Sequence, residues 1–178
     1  MSRRHGSTAT VPTVPDESPL LAKVLTVSDG VFHGAREDRG GPALVARLTA
    51  AGFSVVDHRV VSDGAETVAE ALSSMTDGFS GLVVSTGGTG FAPRDLTPEG
   101  ALSVIERQAP GLAEAMRLVS PLGRLSRSVA GIRGRSLILT TPGSPTGCVE
   151  QLDAVIDVLP HALRLLGEAP TVHVNQAP

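Results

Sequence analysis

The chain has 178 residues, a net charge of −3 and a pI near 5.9, which fits one domain and argues against a generally basic nucleic-acid-binding surface. Four Phe residues, with no Trp or Tyr, leave no aromatic platform for base stacking, so we expect no nucleic-acid partner. The single cysteine, Cys148, excludes an internal disulfide and favours a reducing, cytoplasmic setting. No apolar run reaches about 18 residues, so we expect no membrane span.

The two ends of the chain differ in composition from the middle. Residues 1–20 are rich in Ser, Thr and Pro and lack the apolar core of a signal peptide, which predicts a disordered tail. Residues 168–178 are predicted to be a flexible tail. A single domain is therefore expected over residues 21–167.

Strand-like and helix-like segments alternate along this domain. Apolar runs predict strands, and runs of helical periodicity predict helices. In chain order the predicted elements are a strand at 21–28, a helix at 42–52, a strand at 53–61, a helix at 65–75, a strand at 81–86, helices at 98–108 and 111–118, a strand from 135, and a helix from about Gly147 that bends or splits at Pro160. Residues 31–41 are predicted to be a loop, and residues 121–134 a connection. This order predicts an α/β fold, a three-layer α/β/α sandwich with a mostly parallel sheet.

The predicted strands end in unusual polar or glycine-rich sequences. These segments are 28–30, 62–64, 86–90 and 141–145. Because ligands of parallel sheets bind beyond the carboxyl ends of the strands, all four segments are expected at one edge.

The glycine run at 86–90 has two interpretations of equal weight. It is either a tight turn that needs positive φ or a cradle whose backbone N–H groups bind an anion. It is not a P-loop, because the only lysine of the chain is Lys23, in the first strand. Any phosphate would then be held by arginine, backbone N–H groups or a metal.

Three acids follow predicted strands. Asp95 is expected to be free beside the glycine run, with Thr97 capping the next helix, although a solvated loop role is the stronger local interpretation. Asp63 fits a capping box with Glu66, so its local interpretation is structural. Asp29 ends the first strand. Three acids at one edge favour a metal–phosphate site, with Mg²⁺ between carboxylates and phosphates.

The remaining candidates are weaker. The five histidines show no metal-ligand spacing, and Cys148 is expected to be a small apolar residue rather than a nucleophile. Arg127, Arg133 and Arg135 could bind an anion, but surface arginines are mostly solvated.

Taken together, these segments resemble a known family, the molybdopterin adenylyltransferases. The similarity lies in TVSDG, EDRGGPAL, VVSDGAET, VVSTGGTGFAPRDLTPEG, LSRSVAGIRG and LILTTPGSPTG, and covers about residues 21–166. The family includes the bacterial Mog proteins and the G domain of gephyrin. The resemblance implies the gephyrin G-domain-like fold and transfer of AMP from ATP to molybdopterin, with release of pyrophosphate. It also implies Mg²⁺, a homotrimer, and a molybdate-insertion enzyme as downstream partner.

The resemblance also implies roles for particular residues. Asp63 and Asp95 match the family's essential aspartates, as catalytic residues and as possible Mg²⁺ ligands, which reverses the local interpretation of Asp63. The residues implied to bind nucleotide or pterin are Ser28, Asp29, Thr86, Gly87, Gly88, Thr89, Gly90, Thr97, Pro98, Glu99, Ser126, Arg127, Pro142, Gly143, Ser144 and Pro145.

The sequence departs from the family at three points and leaves other functions open. SDG replaces the commoner SDR, PEG replaces PEA, and the lysine that often follows the PG motif is missing. These changes leave open which residues hold the pterin phosphate. The alternatives are a MoaB-type paralogue, a molybdopterin-binding or scaffold module without catalysis, and another nucleotide enzyme that shares the fold.

Overall fold

A computed structural model describes residues 19–167, and its centre is one six-stranded sheet. The central strands β1, β3 and β6 are short and mostly apolar, as expected for strands covered on both faces. The strands are β1 Leu20–Val27, β2 Phe53–Val61, β3 Ser80–Thr86, β4 Arg107–Gln108, β5 Ala130–Arg133 and β6 Arg135–Thr141. The expected tails lie outside the described residues, except that Leu20 already belongs to β1.

The sheet has the order β2-β1-β3-β6-β5-β4. The first four strands in this order are parallel, whereas β5 is antiparallel to β6 and β4 is antiparallel to β5. Thr86 of β3 pairs with Thr26 of β1 on one side and with Thr141 of β6 on the other. The carboxyl ends of the three central strands are therefore level with one another at a single edge.

Helices cover both faces of the sheet. They are α1 Asp29–Phe32, α2 Gly40–Ala50, α3 Ala65–Thr76, α4 Thr97–Val104, α5 Pro110–Leu118, α6 Pro145–Asp153 and α7 Leu159–Leu166, with a 3₁₀ turn at Pro121–Leu125. The break between α6 and α7, with Pro160 in the first turn of α7, confirms the predicted split.

Alternate residues of the central strands pack into two separate cores. Val24 and Val84 face a core that contains side chains of α2, α5, α6 and α7, while Leu25 and Val83 face a smaller core with α3 and α4. This period of two is what a sheet with buried faces requires. The three-layer sandwich and the mostly parallel sheet are thus confirmed.

Three local expectations are wrong. The predicted loop at 31–41 starts inside one helical turn, α1, whose cap is Ser28 with Oγ accepting from Val31 N at 3.3 Å. The predicted connection at 121–134 contains the 3₁₀ turn and β5. The helix predicted to reach residue 108 ends at Val104, because residues 107 and 108 pair with β5. These strands escaped detection because they are very short and lack an apolar run.

The partly buried Lys23 and the buried Cys148 have structural roles. Lys23 donates from Nζ to Met75 O at 2.8 Å and lies over the Phe79 ring, so the only lysine stabilises the fold. Cys148 is fully buried, and this burial raises the pKa of its thiol. None of the helices found within residues 19–167 is long and apolar enough to cross a membrane.

Candidate active site at the strand ends

A cavity of about 970 Å³ opens at the edge where the parallel strands end. Its volume is in the range of small-molecule sites. Segments from all four predicted strand ends contribute to its wall. Of the residues implied to bind or react, those that line it are Ser28, Asp63, Thr86, Gly87, Gly88, Thr89, Gly90, Asp95, Ser126, Pro142, Gly143, Ser144 and Pro145.

The glycine run forms the floor of this cavity in a conformation that side chains would prevent. Gly87 has φ +103° and Gly88 has φ +64°, both in the region that favours glycine. A β-carbon on Gly87 would collide with the carbonyl oxygen of Val27, and one on Gly88 with Thr97 Oγ1. The interpretation as a turn that needs positive φ is therefore confirmed, and the same turn exposes bare backbone to the cavity.

Asp63 is held by a partner 34 residues away rather than by its own helix. Asp63 Oδ2 accepts from Asp29 N at 2.7 Å, and Asp29 Oδ1 accepts from Asp63 N at 3.0 Å. The helix α3 is capped by Gly64 without a side-chain hydrogen bond, so the predicted capping box is wrong. Asp63 Oδ2 is thus directed to Asp29 of the neighbouring strand end rather than to α3.

Arg94 completes this network from the far end of the glycine loop. It donates from Nε to Asp29 Oδ2 at 2.6 Å and from Nη2 to both Asp29 Oδ1 and the Asp63 carbonyl. The Arg94 guanidinium holds the pKa of Asp29 below its ordinary value. Asp29 is therefore an anchor that positions Asp63, and it does not line the cavity.

Asp95 lies beside Gly90, at the end of the glycine run. Asp95 Oδ2 accepts from Ala92 N at 2.9 Å, and a β-carbon on Gly90 would lie 2.7 Å from the same oxygen. Arg127 fixes this segment by donating to the carbonyl oxygens of Gly90 and Asp95 and by pairing with Glu99. Arg127 lowers the pKa of Glu99, and this ion pair helps to hold the segment of Asp95 in place.

Helix α4 starts differently from the prediction. Leu96 is its N-cap, no side chain caps it, and Thr97 is already helical, so the predicted Thr97 cap is wrong. Thr97 and Pro98 are buried, and Thr97 Oγ1 has no hydrogen-bond partner among the described residues. Thr97 N donates to Gly88 O at 3.0 Å, and a β-carbon on Gly88 would collide with Thr97 Oγ1, so this hydroxyl lies against the glycine loop.

Two further groups of polar side chains at the cavity contain residues that were not predicted from the sequence, Gln151 in the first and Asp38 in the second. Ser128 Oγ donates to Gln151 Oε1 at 3.0 Å, and Ser126 Oγ lies between Ser128 Oγ and Thr89 Oγ1. Gln151 is buried on α6 and lines the cavity. A lone helical glutamine has no pattern that distinguishes it from a surface residue.

The second missed group is centred on Asp38. Its Oδ1 accepts from Gly41 N at 2.9 Å, and its Oδ2 accepts from Thr26 Oγ1 at 2.7 Å. His58 Nε2 lies 3.3 Å from the same Oδ2. An acid three residues before a helical amide is a recognisable capping signal, and it could have identified Asp38.

The carboxylates of the site fit a Mg²⁺ ion that is shared with a phosphate ligand. Asp63 Oδ1 and Asp95 Oδ1 make no hydrogen bond within residues 19–167, and the former lies against Gly88. Within the same residues, no three Asp, Glu, His or Cys side chains are grouped so that they could hold a metal ion. A metal at this site would therefore need other ligands. Mg²⁺ commonly takes one or two carboxylates and completes its shell with water and phosphate oxygens.

Bare backbone, two available carboxylates and a strand-edge cavity define an α/β protein with a site suited to a phosphate-bearing ligand. The family model described as a probable molybdopterin binding domain matches residues 23–161, so the chain belongs to this family. The family resemblance and the fold expected from it are thereby confirmed.

Individual relatives agree with this membership. A molybdopterin adenylyltransferase of Helicobacter pylori strain J99 is 37% identical over 150 residues, which cover 80% of this chain and 85% of that protein. A gephyrin of Dictyostelium discoideum is 35% identical over 168 residues, and there the match covers 86% of this chain but only 23% of gephyrin. The chain thus corresponds to one part of gephyrin and to most of the bacterial protein.

Solved structures include both branches of the family. A MoaB protein of Thermus thermophilus has TM-score 0.79 and 44% identity, covering 85% of this chain and 98% of that one. A Mog protein of Mycobacterium ulcerans has TM-score 0.77 and 37% identity, covering 83% and 99%.

Proposed function

We propose that this protein is a Mg²⁺-dependent molybdopterin adenylyltransferase that acts in molybdenum cofactor biosynthesis. The relatives named molybdopterin adenylyltransferase support the enzyme class. The observation that carries the reaction is the pairing of two available carboxylates, Asp63 and Asp95, with one bare glycine loop. A binding module without catalysis would have no need for this arrangement.

The reaction exchanges one phosphoanhydride bond for another. A phosphate oxygen of molybdopterin attacks the α-phosphorus of ATP, the bond to the β-phosphate breaks, and pyrophosphate leaves with the electron pair. Such transfers depend mainly on positioning and on electrostatic stabilisation, so no covalent nucleophile or lysine is needed. Mg²⁺, when held by the two carboxylates, would neutralise charge on the phosphate oxygens.

Some residues of the site would bind phosphate, and others hold the two carboxylates in position. Backbone N–H groups of Gly88 and Gly90 can approach phosphate oxygens closely, because no side chain covers them, whereas Gly87 N already donates to Thr141 O at 3.0 Å. Ser144 caps α6 at the neighbouring strand end and presents that helix to the cavity. Asp29 and Arg94 hold Asp63 in place, whereas Arg127 holds the segment of Asp95.

Further parts of the proposal rest on the family alone. We place the domain at residues 21–167 and propose a cytoplasmic homotrimer that passes adenylyl-molybdopterin to a molybdate-insertion enzyme. The binding roles of Asp29, Thr97, Pro98, Glu99 and Arg127 also stay predictions, since these residues lie outside the cavity wall. Their contacts support a role in shaping the wall.

The decisive experiment is adenylyl transfer by the purified protein with molybdopterin and Mg-ATP, beside Asp95→Ala. We expect adenylyl-molybdopterin from the wild type and a loss of about a thousandfold or more in the variant, with pterin binding kept. A wild type that binds pterin but forms no product would overturn the adenylyltransferase assignment. The MoaB-type paralogue, favoured by the 44% identity to the Thermus protein, would then replace it.

A further inference from the structure

The charges that line the cavity are unfavourable for a substrate that carries several phosphates. Carboxylates outnumber cations there. The acids are Glu37, Asp38, Asp63, Asp95 and Glu150, and the described cations are Arg36 and Arg39. Even with Mg²⁺ at Asp63 and Asp95, a polyphosphate would need a cationic partner to balance the remaining acids.

The two arginines are not equivalent. Arg39 donates from Nε to Glu37 at 3.3 Å, so its charge is already compensated. Within residues 19–167, no ion pair or side-chain hydrogen bond involves the Arg36 guanidinium. Arg36 is therefore the cation of this wall whose charge is available to a ligand.

Arg36 is also held in place at the strand edge. Its backbone N donates to Gly30 O at 2.9 Å, which folds residues 31–36 back over the end of β1. A β-carbon on Gly30 would lie 3.4 Å from Arg36 Cβ and 3.6 Å from Arg36 Nε. The side chain of Arg36 therefore passes directly alongside Gly30, near Ser28.

We propose that Arg36 is the residue that binds a substrate phosphate group in this active site. The proposal rests on the proposed function, and it names the cation that the missing lysine leaves open. The same chemistry has two sources, the polyphosphate of ATP and the terminal phosphate of molybdopterin. Arginine suits either, because its guanidinium donates two parallel hydrogen bonds to phosphate oxygens.

The test compares Arg36→Ala with Arg107→Gln, a matched loss of one exposed positive charge on the far edge strand β4. KM and kcat are measured separately for ATP and for molybdopterin. We expect Arg36→Ala to raise KM for one substrate about tenfold or more, with kcat within about twofold, since charge-assisted bonds are among the strongest. The substrate whose KM rises identifies the source of the phosphate.

A second variant tests the position of the charge rather than its presence. In Gly30→Arg/Arg36→Ala the new side chain enters the space that Arg36 vacates, and φ at Gly30 is not in the glycine-only region. We expect this double variant to recover most of the lost affinity. Thermal melting of each variant checks folding. Arg36→Ala should have the same melting temperature as the wild type, because the Arg36 side chain makes no hydrogen bond or ion pair to the described residues that stabilises the fold.

Binding measurements separate this proposal from the proposed function. Calorimetric titration of wild type and Arg36→Ala with pyrophosphate and with inorganic phosphate, each with Mg²⁺, needs no turnover. Weaker binding of either anion by Arg36→Ala alone supports the proposal even if the wild type makes no adenylyl-molybdopterin. The proposal is overturned if neither KM nor either dissociation constant changes beyond about twofold, or if Arg107→Gln causes an equal loss.

Discussion

Asp29 and Asp63 each accept a hydrogen bond from the backbone N–H of the other, at 3.0 and 2.7 Å. This exchange joins the end of β1 to the end of β2, and Arg94 closes it from the glycine loop. Three segments that are distant in sequence are thereby fixed around one carboxylate. Pre-organisation of this kind is what a reaction that depends on positioning requires.

The first prediction concerns acid. Arg94 keeps the pKa of Asp29 below its ordinary value of 3.8, so the folded pKa is depressed relative to the unfolded chain. Such a group contributes stability that is complete above the unfolded pKa and is lost as the pH falls through the folded pKa. We expect the difference in melting temperature between wild type and Asp29→Asn to be constant above about pH 5 and to shrink below about pH 4. Thermal melting curves of the two proteins, about ten in all and recorded from pH 2.5 upward, measure this difference in melting temperature.

A difference in melting temperature that stays constant down to the lowest pH would contradict this interpretation. It would mean that Arg94 does not stabilise the ionised carboxylate of Asp29 in the folded protein. The Asn variant is the appropriate control, because it keeps the size of the side chain and cannot titrate.

The second prediction concerns the two carboxylates at the glycine loop. We expect Asp63→Asn and Asp95→Asn each to lower kcat for adenylyl transfer about a thousandfold, because each removes a charged oxygen that would hold Mg²⁺ near the phosphates. Steady-state rates measure the effect. Asp77→Asn, at the exposed end of α3, removes an equal charge and should leave kcat unchanged. Activity near the wild-type level in either site variant would remove that residue from the reaction.

The sequence was sufficient for the parts of the fold and site that depend on local patterns. Buried strands are recognisable as apolar runs, and parallel strands bring their carboxyl ends together, so the position of the glycine loop and of Asp95 was predictable. Strand β4 was not, since its two exposed residues carry only backbone pairing.

Long-range contacts account for the other failures. The sequence at Asp63 has the pattern of a capping box, but Asp63 Oδ2 accepts from Asp29 N and no side chain caps α3. The capping signal could identify Asp38, but its contacts with Thr26 of β1 and His58 of β2 have no signature in the sequence. A short sequence pattern indicates which local structures a segment can form, and tertiary contacts determine which of them it adopts.

The third prediction concerns Cys148. Its side chain is fully buried and burial raises the pKa of its thiol, so little thiolate is formed and reagents cannot reach it. We expect no reaction with a thiol-specific reagent in the native protein near neutral pH and complete reaction after denaturation. Rapid labelling of the folded protein would contradict the burial of this residue, and Cys148→Ala, which offers no thiol, gives the background.

The last prediction separates the two requirements at the glycine loop. Gly88 and Gly78 have nearly the same backbone, with φ +64° and +61°, but a β-carbon meets Thr97 Oγ1 at the first and open space at the second. Gly78→Ala should therefore cost only the backbone strain, about 1 kcal/mol of unfolding free energy. Gly88→Ala adds a steric clash and should cost about 3 kcal/mol.

Activity distinguishes the two glycine variants further. A methyl group at position 88 would also lie 3.2 Å from Asp63 Oδ1, next to the oxygen that is available to a metal. We therefore expect Gly88→Ala to lose adenylyl transfer even under conditions where it is folded, while Gly78→Ala keeps the wild-type rate. Denaturant unfolding and steady-state rates on the same samples measure both effects. Equal behaviour of the two variants would show that positive φ alone explains the glycine run, and that its bare surface has no part in binding phosphate.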